Sequence, residues 1–189
     1  MKLILIAGII IVIILALYYG GINDTVKVKS TVDNKEYFVR NLPDKQEACD
    51  NIARIKEKLD KLVSYLIEKY PNEERVKRLK DNYKEDSLSE APKNSLDTSY
   101  SINKGEKIVF CLRQRDTNNK LIELNTILFV ALHELSHTMT KSIGHTEEFW
   151  DNFKFVLKNA IELGVYNYQP FHKDPVPYCG TVIADTPLK

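Results

Sequence analysis

The pentapeptide His133-Glu134-Leu135-Ser136-His137 constrains this chain more than any other feature, because it fixes a helix at one place and a metal beside it. It sits in residues 124–141, where Ile127, Leu128, Val130, Ala131 and Leu135 predict a strongly apolar helix that is central and buried. On a helix, positions i and i+4 lie one turn apart on one face, so His133 and His137 can converge on a single Zn²⁺. Glu134 sits about 100° further round, where its carboxylate reaches a metal-activated water without ligating the metal. Catalytic zinc keeps its fourth position open and lowers the pKa of its water to roughly 7, so a third protein ligand is required.

His145 is the best candidate for that ligand. It follows Gly144, where the chain can turn sharply, and precedes a helix that would fold back across the first. Thr146 offers an N-cap to this second helix, and Glu147 and Glu148 suit its positive end. Phe149, Phe153, Val156, Leu157, Ala160 and Ile161 mark its packing face, and Gly164 ends it. Glu147 or Glu148 could instead supply a metal-binding oxygen, although acids in a helix's first turn need no such role.

The rest of the chain reads as a mixture of helix and short strand. Residues 25–32 alternate valine with lysine and, after Asp33-Asn34-Lys35, lead to Tyr37-Phe38-Val39, which predicts a small hairpin. Asp44 can cap a long amphipathic helix over residues 45–70, stopped by Pro71, and a shorter helix should follow from Asn72 to about Asp81. Residues 85–97 are polar, contain Pro92 and show no period, so they read as a surface loop. Two β-prone runs, 98–102 and 107–113, flank Asn103-Lys104-Gly105 as a second hairpin, with Gly105 taking the positive φ of the turn. The proline-bearing tail after Gly164 reads as extended or irregular.

Residues 3–22 carry no charge and would span roughly 30 Å as a helix, enough to cross a hydrocarbon core. They lack a small-x-small cleavage site, so a retained anchor over residues 1–24 is expected, placing the chain in a membrane as a single-pass protein with one domain at 25–189. Cys49, Cys111 and Cys179 are odd in number and widely spaced, and read most simply as three reduced thiols. One disulfide with one free cysteine is the other arithmetic possibility. Reduced thiols lean towards a cytosol-facing domain. With 27 Lys plus Arg against 26 Asp plus Glu, the net charge of +1 gives no electrostatic basis for direct nucleic-acid binding.

The pentapeptide, Gly144-His145 and Phe149-Trp150 together resemble the WLM and SprT-like zincin metallopeptidases. Those proteins carry a His-Glu-x-x-His helix, a short loop, a third His and an aromatic residue on the next helix. Cys111-Leu112-Arg113 leading into Leu124-Asn125-Thr126 extends the resemblance, which covers roughly residues 98–163. The arrangement is similar to WLM-type metallopeptidases of large DNA viruses and algae. It implies an α+β zincin-like fold, peptidase activity, His133, His137 and His145 as zinc ligands, and Glu134 as base. Nuclear members of the family cut proteins crosslinked to DNA; the near-neutral charge and the apolar N-terminal segment here depart from that pattern.

The expected reaction is amide hydrolysis of a protein or peptide substrate by a Glu-activated, zinc-bound water, in a domain of small β-hairpins packed on helices. The alternatives are a membrane-tethered zinc-binding scaffold without turnover and a hydrolase of non-peptide bonds. Such a peptidase needs a donor near the scissile carbonyl, and among Tyr166, Tyr168, His172 and Tyr178 of the tail, His172 or Tyr178 could supply it.

Overall fold

Alternation of valine and lysine produces the first element as expected. Strand β1 (Thr25–Lys29) pairs antiparallel with β2 (Glu36–Arg40), turning the buried Tyr37 and Val39 inward and Phe38 outward. The computed structural model describes residues 24–84, 88–103 and 106–188, together with Gly8, Ile10 and Ile11. Helix α1 (Lys45–Lys69) buries Ala48, Ile52, Ile55, Leu59, Leu62 and Leu66 along one stripe; of its charged residues Asp50 and Lys56 are also buried, and the others are exposed or half-buried. Asp44 precedes α1 but makes no capping hydrogen bond; its carboxylate accepts instead from Nη1 of the buried Arg113, at 2.6 Å.

Helix α2 (Glu74–Asn82) serves the helix that follows it in space. Arg78 Nε donates to the Met139 carbonyl and Asn82 Nδ2 to that of Thr138, each at 2.8 Å. Those carbonyls belong to the last turn of α3 (Leu124–Met139), which helical bonding leaves without partners. At its other end, the Glu123 carboxylate accepts from the Thr126 N–H. The His-Glu-x-x-His helix is therefore tied at both ends. Helix α4 (Glu147–Glu162) starts at Thr146, whose hydroxyl accepts from the Phe149 N–H, and packs on α3.

The sheet beside α3 has the order β3-β5-β4. Strand β5 (Lys107–Phe110) lies between β4 (Ser99–Ile102), antiparallel to it, and β3 (Leu88–Glu90), parallel to it. Strand β3 corrects the expectation of a surface loop over 85–97. Three residues are too few for alternation to show, and Glu90 looks polar in sequence yet is buried, accepting from Arg113 Nε at 2.8 Å and the Arg40 N–H at 2.7 Å. Burial raises the Glu90 carboxyl above its ordinary value, against the pull of Arg113. The hairpin expected from 98–113 forms, but the positive φ expected at Gly105 lies outside the described residues; Asn103 has φ 47°.

The tail after Gly164 is mostly turns and irregular chain, as expected, and it also carries a short hairpin that the sequence did not announce. Strands β6 (Val176–Tyr178) and β7 (Thr181–Ile183) form a hairpin whose two turn residues, Cys179 and Gly180, have φ of 52° and 80°. Positive φ at both positions marks the turn that matches strand twist, and Pro177 hides the strand from a periodicity reading. Cys179 is bonded to Cys111 at the end of β5, with Cα atoms 6.0 Å apart, and Cys49 is free and buried. This corrects the reading of three reduced thiols and removes its lean towards a reducing compartment. The fold brings together two cysteines separated by 68 positions.

The single-pass membrane assignment is also corrected. Among the described residues no helix is long and apolar enough to cross a membrane. The apolar α3 has 16 residues and spans about 24 Å, while the 25-residue α1 is amphipathic and covers the core. Most of residues 3–22, on which the anchor reading rested, lies outside the described residues.

Candidate metal centre

The side chains of His133 and His137 leave one face of α3, and His145 meets them from the loop joining α3 to α4. One ring nitrogen from each of the three lies within 4.8 Å of the others, and the Nε2 atoms of His133 and His145 are 2.9 Å apart. Ligands of a tetrahedral zinc at its usual Zn–N distance sit about 3.3 Å from one another, so the cluster brackets that spacing. Burial, reinforced by His137 and His145, pushes the His133 imidazole down to about 3, which keeps its lone pair available for a metal. The donor set therefore fits a divalent ion.

The loop that delivers His145 depends on two devices. Gly144 adopts φ 81°, a conformation costly for a residue bearing a Cβ. Glu148 then fastens the loop: its carboxylate accepts from the N–H groups of Lys141 and Ser142, both at 3.0 Å, and from the Ser142 hydroxyl at 2.9 Å. These donors, led by the Lys141 N–H, hold the Glu148 carboxyl down at about 2. Glu148 is thus occupied with the loop, and Glu147 is exposed; among the described residues the cluster contains only the three histidines.

A pH dependence follows. A carboxyl lowered on folding stabilises the folded state above its unfolded value, near 4.5, and loses that contribution as pH falls towards about 2. Glu148→Gln is expected to flatten the fall in melting temperature across that window, as followed by circular dichroism. An unchanged acid limb would show that Glu148 does not fasten the loop.

Phe149 is the floor of the cluster. Its ring stacks on His137 at 4.3 Å and meets the edges of His133 and His145, each at 4.7 Å between centroids. Sequence reading singled it out as a packing residue and, with Trp150, as the aromatic of the family resemblance, but did not place it against all three imidazoles. Glu134 is buried, and burial followed by the charge of Asp97 raises its carboxyl to about 7. Asp97 carries no sequence signal, because the fold alone brings it near.

A cleft of about 690 Å³ opens over the three histidines and Glu134. Thr98 to Ser101 on and before β4 line it, joined by Tyr178, Thr181 and Ile183 of the tail hairpin. Tyr178 is buried, its hydroxyl 2.7 Å from Ser99 Oγ, and burial lifts its phenol well above the ordinary value, with the Glu134 charge adding to the rise. His172, its companion in the sequence reading, is exposed and does not line the cleft; nor do Tyr166 and Tyr168.

The chain is similar to known proteins to different extents. The chain is 35% identical over 166 residues to an uncharacterized protein of Acanthamoeba polyphaga mimivirus, covering 86% of this chain and 84% of that one. It is 35% identical over 92 residues to an uncharacterized protein of Invertebrate iridescent virus 6, covering 48% of each. A crystal structure of a Wss1 mutant from Saccharomyces cerevisiae superposes with a TM-score of 0.51 at 21% identity, covering 67% of this chain and 88% of that one, a likeness of fold. The model of the WLM domain matches residues 31–175, a span that includes the three histidines, Glu134 and the loop between them. With that match over most of its length, the chain belongs to the WLM domain family.

Proposed function

We propose that this protein is a zinc metallopeptidase in which His133, His137 and His145 hold the ion and Glu134 is the general base. The convergence of three imidazole nitrogens beside a buried carboxylate carries this reading. Bound there, zinc would supply Lewis acidity, acidifying water and polarising a carbonyl. A carboxyl at about 7 is poised to take a proton from water and return it to the leaving amine. The Tyr178 phenol remains protonated through neutral pH and can donate a hydrogen bond to the oxygen that gains charge.

Strand β4 completes the reading. It lies at the edge of its sheet and along the cleft, where an extended peptide can add as a further strand. Such pairing uses backbone groups, so it orients the scissile bond without fixing the substrate's sequence.

The purified chain is expected to bind one equivalent of zinc and to cut members of a peptide library in a chelator-sensitive way. His145→Ala should lower both zinc content and cleavage. Cleavage that survives chelation, or zinc held without any cleavage, would overturn the peptidase reading in favour of another hydrolase or a scaffold. Tyr178→Phe should lower kcat about a hundredfold with little change in KM, because one donor to the developing oxyanion is lost; equal kcat would remove Tyr178 from the chemistry.

A further inference from the structure

A second cavity, of about 380 Å³, adjoins the cleft and shares Phe129 and His133 with it. Trp150 and Phe153 of α4 form another wall, and Asp185, Thr186 and Pro187 of the C-terminal segment close it. That segment is fixed in place: Thr186 is buried, the Tyr168 hydroxyl donates to the Leu188 carbonyl at 3.1 Å, and Leu188 packs on the core. Trp150 is nearly half exposed although it rests on Phe153 and His145, so the cavity leaves an aromatic face uncovered beside the candidate metal ligands.

We propose that this cavity receives a large apolar side chain of the substrate, aromatic or leucine, from a residue flanking the cut bond. The proposal rests on the peptidase reading above and names what that peptidase selects. Because His133 belongs to both spaces, a chain crossing the cleft over the histidines can drop one side chain against Phe129, Trp150 and Phe153. Those walls reward apolar surface removed from water and penalise a carboxylate that would have to shed its hydration. The exposed Asp185 at the rim adds repulsion against acids.

Trp150 is the chain's single tryptophan, so its emission reports on this cavity without turnover. Zinc-loaded Glu134→Gln protein is titrated with blocked Ala-Ala-Phe-Ala and Ala-Ala-Asp-Ala, while bonds cut by the unaltered protein in a peptide library are identified by mass spectrometry. The Phe peptide should shift Trp150 emission saturably and bind about tenfold or more tightly than the Asp peptide. Pro187→Asp should erase that difference. Cut bonds should carry Leu, Phe or another large apolar residue at one fixed flanking position, a preference that Pro187→Asp loses. Equal affinity for the two peptides, or cleavage without side-chain preference, would overturn the subsite and leave the peptidase standing. Discriminating emission with no cleavage would sink the peptidase reading, and the substrate subsite with it.

Discussion

Glu134→Gln is expected to retain zinc at the level of the unaltered protein while hydrolysing peptides about a hundredfold to ten-thousandfold more slowly. That is the range by which a positioned acid–base group accelerates a reaction. The carboxamide fills the same buried space, so the helix and its histidines keep their packing, but it has no basicity to take a proton from water. Metal analysis alongside single-turnover kinetics separates the two effects. Hydrolysis at an unchanged rate would remove Glu134 from the mechanism, whereas loss of zinc with loss of activity would make it a structural support for the site.

The second large effect concerns the Cys111–Cys179 bond. Joining positions 68 residues apart removes chain entropy from the unfolded state, and the loop-entropy relation puts the stabilisation at about 4 kcal/mol. Replacing both cysteines with serine should therefore lower the midpoint of denaturant unfolding markedly. The double variant is also expected to lose peptide cleavage while keeping zinc, because Cys179 neighbours Tyr178 and the released hairpin carries that phenol out of the cleft. Treating the protein with a reductant should reproduce the effect. A double variant with full stability and turnover would show that packing alone holds the hairpin, with Gln114 Nε2 donating to the Pro177 carbonyl at 2.8 Å as one of its remaining ties.

The helices and the first two hairpins were legible because their residues announce them locally. The stripe of Ile52, Ile55, Leu59 and Leu62 recurs at helical spacing, and the His133–His137 interval has meaning only on a helix. His145 was legible for a related reason: a glycine before it and a capping threonine after it prescribe a turn between two helices, and the structure brings its ring against His133. What escaped was non-local. Strand β3 depends on Glu90 finding Arg113, and the disulfide depends on the tail returning to β5. Asp97 reaches the field of Glu134 only through the loop before β4. The fixed interval between His133 and His137 carried half of the candidate site in a single pentapeptide, while its walls came from segments dozens of residues away.

The order of the chain has a bearing on when such a site can work. The three imidazoles and the carboxylate are encoded before residue 146, whereas Tyr178 and the wall built from Asp185 to Pro187 come later in the order of synthesis. A polypeptide still emerging from the ribosome can thus carry all its candidate ligands before the tail residues that line the cleft have been made. The last hairpin docks and its sulfur link closes only after the candidate ligands have been made, so a growing polypeptide that already carries the histidine cluster still lacks part of the cleft around it.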